Sequence, residues 1–373
     1  MKKAKTEEYK NILYCTKNPG YPNQCISLNN SALQPLSEFL VTVIPTRLYR
    51  YRQCIERNYD ALMHDQVWIS CAETMNDGFD ARLFFDINSI SDWLEKLFSN
   101  ESTDTIFSMI KGGMVPPELF KQFIPDIEKL LQTAMDIPED VMKMDIRNKL
   151  KVFKEMTLEI VPQLSIITQK SLKFACFSEN IKSTVMWGQY AANETGFAVA
   201  YDFSSGQLSS CQTCNKPAIG ECSYPKTCSL LPVIYGAKRY KVSDDYIKYL
   251  LANYLVSKLR QQTGNSQIAD AIISSLCCPD MSEATKLAVH KSTEWAYEKE
   301  WRIFCSSTDP IFNNQQHAFF PKKASAIYLG RKISIYNEKT LKDIAKEKGL
   351  SIYKMAVNDK SSTYNLIPKK IKL

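Results

Sequence analysis

Apolar and polar positions change rhythm along this chain, and the clearest sequence of changes runs from Leu172 to Phe203, LKFACFSENIKSTVMWGQYAANETGFAVAYDF. An apolar run through Phe174, Cys176 and Phe177 is ended by Ser178-Glu179-Asn180, as a buried strand followed by a turn should be. Met186, Trp187, Tyr190 and Ala191 then recur at helical spacing, with Ser183 or Thr184 placed to cap the helix. Asn193-Glu194-Thr195-Gly196 closes it, and Gly196 is expected in the left-handed conformation that follows a C-cap. Phe197 to Tyr201 reads as a second strand ending at Asp202. This predicted strand–helix–strand unit puts Ser178 at the mouth of a sheet, beside the aromatics Trp187 and Tyr190.

The same reading extends in both directions. Residues 1–46 are broken by Pro19, Pro22 and Pro35 and carry no clear period, so they read as a loosely structured lead-in to one domain over 47–373. Arg47-Leu48-Tyr49-Arg50-Tyr51-Arg52 reads as a strand with arginines on one face, a site for anions. A short helix over Asn58–His64, a strand over Val67–Ser70 and a turn over Met75–Asp80 follow. Residues 87–170 become a run of amphipathic helices, a helical insertion. Helices are again predicted from about Asp244 to Gln262 and from Gln267 to Val289. In Trp295-Ala296-Tyr297-Glu298-Lys299-Glu300-Trp301-Arg302-Ile303-Phe304 a strand is entered from a helix end, with Glu298 and Glu300 turned the same way. Ala326–Gly330 and Ile352–Val357 are strands flanking a basic helix, Glu338–Lys348, that Gly349 ends. The sum is an α+β fold: a central mixed, mostly antiparallel sheet, an inserted helical bundle and helices between strands.

Composition narrows the chemistry. Hydrophobic residues make up 45% and charged residues 23% of the 373 positions, an ordinary globular balance. The apolar run Phe39–Ile44 is far shorter than a membrane span, so a cytosolic protein without membrane contact is expected. Of the 12 cysteines, Cys211, Cys214, Cys222 and Cys228 crowd a loop over 204–230. Four thiolates suit a structural zinc, but the five-residue gap between the second pair leaves free loop thiols equally open. The net charge of +7 sits at the C-terminal end, where residues 321–373 hold 13 Lys and Arg against 4 Asp and Glu, a face for phosphates or a solvated surface. The 12 glycines form no phosphate-cradling loop and the 3 histidines no metalloenzyme spacing.

RLYRYR, NDGFD, CFSEN followed by MWGQYA and GFAVAYD, WAYEKEWRIF and AIYLGRKI together resemble the bacterial domain-of-unknown-function family 2971, from about Leu48 to Ile367. The order of a strand arginine, a central-strand serine and a late Glu-x-Glu is also similar to ADP-ribosyltransferases of the arginine, serine, glutamate type. That second resemblance implies NAD as the bound cofactor and a macromolecular acceptor, in an effector of anti-phage or toxin type. It implies that Arg50 contacts NAD phosphate or ribose, that Ser178 holds the loop orienting the nicotinamide, that Glu300 stabilises the oxocarbenium ion and that Glu298 activates the acceptor. It requires Arg50, Ser178 and Glu300 to share one pocket walled by Tyr49 or Tyr51, Trp187 or Tyr190, and Trp301, with Arg52 nearby. Burial there should raise the Glu300 pKa unless Arg50 or Arg302 pairs with it. The competing expectation is a non-catalytic module in which Arg47, Arg50, Arg52 and the basic C-terminal lobe dock nucleic acid or protein.

Overall fold

The computed structural model describes residues 3–15, 34–97, 99, 104, 139–203, 229–263, 282–305 and 317–373. The chain divides into two compact units. One comprises Met1–Arg82, Gln169–Tyr240 and Ala284–Leu373; the other comprises Leu83–Thr168 and Lys241–Glu283. The span 47–373 expected as one domain takes in parts of both units.

Among the described residues the first unit is built on a 10-stranded sheet. Its strands are β1 (Arg47–Arg52), β2 (Gln66–Cys71), β3 (Lys173–Ser178), β4 (Phe197–Asp202), β5 (Ser229–Pro232), β8 (Glu300–Cys305), β9 (His317–Pro321), β10 (Ala326–Leu329), β11 (Ser351–Val357) and β12 (Leu366–Lys370). They run in the order β12-β11-β10-β4-β1-β3-β2-β9, with β8 added to β3 and β5 to β8. Every pairing is antiparallel except β10 with β11. A separate parallel pair joins β6 (Ile234–Gly236) to β7 (His290–Ser292). The unbroken apolar run of β4 matches its position, because Phe197 to Tyr201 are all buried and both faces of the strand are covered.

The described parts of residues 1–46 are not a loose lead-in. Lys3–Cys15 (α1) and Gln34–Val43 (α2) are helices whose Tyr9, Leu13, Leu36, Phe39 and Leu40 belong to the main core. The apolar stripe of α1 is narrow and embedded in charge, so its period is weak until the sheet is there to cover it. Glu56–Met63 (α3) follows β1, and Thr184–Tyr190 (α6) follows β3, capped by the Ser183 hydroxyl, which accepts from the Met186 amide at 3.3 Å.

After α6 the left-handed residues are Ala192, Asn193 and Glu194, with φ of 47°, 55° and 69°, and not Gly196. Gly196 is required for a different reason: a Cβ there would overlap the Arg52 carbonyl oxygen. Gly330 approaches as closely, donating its amide to the Gly196 carbonyl at 2.8 Å.

The second unit is helical in its described part, with Ile87–Leu97 (α4), Glu139–Ser171 (α5) as far as Thr168, and Asp244–Thr263 (α7). The helical segment expected at 87–170 is thus one portion of a unit that also takes in 241–283. The Val242 amide donates to the Phe84 carbonyl at 3.0 Å, and Ser89 hydrogen-bonds Asp244, joining its two segments. Glu283–Ala288 (α8) and Ile335–Glu347 (α9) are the remaining described α-helices. No helix among the described residues is long and apolar enough to cross a membrane.

Candidate active site

Register brings the distant motifs together. Tyr49 of β1 lies opposite Ser178 of β3, and Ser178 lies opposite Glu300 of β8, so three strands present them in line. On the side of β3 that meets β1 and β2, the described pairs engage only Lys173, Phe174 and Ser178. The stretch between leaves an opening in the sheet. There a cavity of about 240 Å³ is lined by residues from both faces of β1 and by Ser178, Tyr190, Lys291, Glu298 and Glu300.

Glu298 ends a 3₁₀ turn (Thr293–Glu298), Lys299 takes a left-handed φ of 46°, and Glu300 opens β8. This single left-handed residue turns both carboxylates toward the cavity. Ser178 fixes the turn: its hydroxyl donates to the Glu298 carbonyl at 2.5 Å and accepts from the Asn180 amide at 3.0 Å. The Glu179 amide donates to the Lys299 carbonyl at 3.1 Å, and the Tyr235 hydroxyl accepts from the Glu300 amide at 2.8 Å. Ser178 is thus a positioning residue for the acidic turn.

The acids are buried and paired. Arg302 reaches Glu300 through Nε at 2.8 Å and Nη2 at 3.1 Å, and grips Asp80 at 2.6 and 2.9 Å. Lys291 Nζ lies 2.7 Å from Glu298 and 3.2 Å from Glu300. Burial alone would raise the Glu300 carboxyl, but Arg302 and Lys291 outweigh it and hold the pKa down to about 2. Burial pushes Glu298 up against the pull of Lys291, with the Glu300 charge adding to the rise. Tyr190 donates to Glu298 and accepts from Asn76 Nδ2 at 2.5 Å. Glu298 is therefore the carboxylate more ready to hold a proton, and Glu300 the one fixed as an anion.

Arg50 faces the same cavity with 9% of its surface exposed. Its Nη1 donates to the Trp68 carbonyl at 3.0 Å and its Nε has no hydrogen-bond partner. Among the described residues no carboxylate pairs with it, and burial, with Arg52 adding repulsion, lowers its pKa to about 9. A buried guanidinium without an anion is costly, and a bound anion relieves that cost.

Of the residues expected from sequence, Arg50, Ser178, Glu298, Glu300, Tyr49, Tyr51, Arg52 and Tyr190 line the cavity. Trp187 and Trp301 do not. Trp187 is wholly buried, edge-on to Tyr51 at 5.1 Å, with its indole donating to the Ile181 carbonyl at 2.8 Å. Trp301 alternates to the other face of β8 from Glu300, and its indole donates to Glu179 at 2.6 Å. Nor do the β1 arginines share one face: Arg47 pairs with Asp202 at 2.9 Å on the opposite side of the pleat from Arg50 and Arg52. Cys211, Cys214, Cys222 and Cys228 lie outside the described residues; among the described residues no group of three or more His, Cys, Asp or Glu could hold a metal ion.

Sequence reasoning missed Asp80, Lys291 and Asn76, and gave Arg302 only the part of a balancing charge. Asp80 reads as turn chemistry in NDGFD, and Lys291, although only seven residues before Glu298 and nine before Glu300, stands in no periodic pattern that singles it out.

Residues 186–303 match the family described as Protein of unknown function (DUF2971). That span contains Tyr190, Lys291, Glu298, Glu300 and Arg302; Arg50, Asp80 and Ser178 lie before it. No curated protein and no solved structure matches the chain.

Proposed function

We propose that this cavity is the active site of an ADP-ribosyl transferase-like enzyme that takes NAD as substrate and a macromolecule as acceptor. The observation that carries the reading is one cavity holding an unpaired, buried Arg50 and a Glu298 carboxylate of raised pKa. The arginine suits a phosphate, and Tyr49, Tyr51 and Tyr190 offer flat walls beside the polar groups that would orient a nicotinamide nucleotide. A cavity of about 240 Å³ suits the nicotinamide-ribose end, with the remainder leaving through the open side.

In this scheme the ribose C1′–N bond breaks and its electron pair leaves with nicotinamide, while an acceptor oxygen or nitrogen forms the new bond and gives up its proton. Glu298 takes that proton and faces the positive charge developing at C1′. Glu300, neutralised by Arg302 and Lys291, positions Lys291 and the turn instead of meeting the sugar itself. The roles implied by the family resemblance are thereby redistributed, with Glu298 as the reacting carboxylate.

Nicotinamide release and transfer of labelled ADP-ribose into cell lysate test this. Wild type should release nicotinamide, and Glu298→Gln should lower the rate by about 10²-fold or more. A wild-type chain that cleaves no NAD with every class of acceptor present removes the assignment. The cysteine loop is separable: if it binds zinc, metal analysis returns about one ion per chain, and Cys214→Ser lowers it.

For the strand-docking alternative, Arg50 is buried and Arg47 pairs with Asp202, while the partly exposed Arg52 donates to the Tyr51 carbonyl at 3.1 Å. Arg331 is also engaged, in a two-pronged pair with Glu194 at 2.7 and 2.9 Å.

A further inference from the structure

A second cavity, of about 190 Å³, lies in the same unit and shares Lys291 with the first. The NDGFD turn divides them: Asn76 and Asp80 face the first cavity, Asp77 and Phe79 the second. Arg82, Lys238 and Arg239, all exposed, form a basic rim. Arg239 Nη2 donates to the Arg82 carbonyl at 2.8 Å, and its guanidinium lies 5.4 Å from the centre of the Phe79 ring, an aromatic 63% exposed. Behind the rim, His290 stacks on Tyr240 at 4.8 Å, and burial lowers its pKa, keeping it neutral.

Asp77 separates this cavity from a simple anion trap. It is 6% exposed and lines the wall; one oxygen accepts from the Phe79 amide at 2.9 Å, and the other has no hydrogen-bond partner. A carboxylate needing a donor, an exposed aromatic face and three cations around one opening match three parts of one ligand. These are an N–H edge, a ring that stacks and a phosphate. A peptide of Asp and Glu brings carboxylates to the rim and backbone N–H groups, but no ring to stack on Phe79, and its side chains would meet Asp77 as like charges.

We infer that this second cavity binds a single-stranded nucleic acid, seating one base against Phe79 and Asp77 with the flanking phosphates on Arg82, Lys238 and Arg239. That the strand is the acceptor of the transfer rests on the chemistry proposed for the first cavity, which Lys291 adjoins.

Binding is measured by fluorescence anisotropy with a labelled oligonucleotide of about ten nucleotides, without NAD, so failure here is distinct from failure of NAD cleavage. Wild type should bind, with log affinity falling against log salt at a slope of about −2 for three neutralised phosphates. Lys238→Glu and Arg239→Glu should each weaken binding tenfold or more, and Asp77→Asn should change the order of preference among homopolymers. An abasic strand of equal length should compete poorly. No binding at low salt, equal competition by the abasic strand, or equal displacement by an acidic polypeptide overturns the inference; so does wild-type affinity in both charge-reversed variants.

Discussion

Two buried arginines on one sheet are predicted to have opposite effects when removed. Arg302 closes a cluster in which, among the described residues, Asp80, Glu298 and Glu300 meet only two cations, Arg302 and Lys291. Arg302→Met leaves two carboxylates buried without their main partner and should cost about 3–5 kcal/mol, read by denaturant unfolding. Among the described residues Arg50 has no carboxylate to strand. Arg50→Met should leave stability unchanged or raise it by up to about 2 kcal/mol, while removing the proposed anion site and with it the proposed NAD cleavage. A destabilised Arg50→Met would mean that the guanidinium serves the fold through its bond to Trp68 and not a ligand. These pairings were only partly legible in sequence: Arg302 stands two residues from Glu300, but Asp80 is 222 residues away from it.

At the scale of elements, glycines separate helix propensity from close approach. Gly188 lies inside α6 with open space where a Cβ would point, so Gly188→Ala should stabilise by about 0.5–1 kcal/mol. Gly330 has the Glu194 carbonyl in that place, and Gly330→Ala should cost about 1–3 kcal/mol through forced backbone shifts. Melting temperatures of the two variants should move in opposite directions. The strands and helices flanking these glycines follow from local pattern, as β3, α6 and β4 do. The reason for Gly196 does not, because the Arg52 carbonyl that crowds it comes from another strand.

For the whole molecule, the acidic cluster sets how stability varies with pH. Glu300 is held below the ordinary 4.5, so its contribution is complete above about pH 4.5 and is lost as pH falls through about 2. Glu298 has the opposite sign. Its pKa is raised, so its stabilisation is complete below 4.5 and is lost as pH rises through the folded value. Glu300→Gln should therefore flatten the acid limb of a melting-temperature profile. Glu298→Gln should raise stability at neutral pH while lowering the proposed transfer by about 10²-fold or more, the combination expected of an excess buried carboxylate kept for chemistry. A neutral-pH loss of stability in Glu298→Gln would mark that residue as a structural counter-charge to Lys291.

The amino-acid sequence by itself determined the elements with strong periods or turn residues: the strand–helix–strand unit from Lys173 to Asp202, the 3₁₀-to-strand entry at Glu298–Glu300 and the helix that Gly349 ends at φ 64°. Those depend on side-chain alternation and backbone preference, which act within a few residues. Only the tertiary structure decided which chain segments share a unit, that α1 and α2 complete a core, and that Trp187 and Trp301 pack away from the cavity. It also decided which carboxylate is locked. The charge state of Glu300 is set by Arg302 and that of Glu298 by Lys291 and burial, and such electrostatics depend on distance and desolvation that spacing along a chain does not encode.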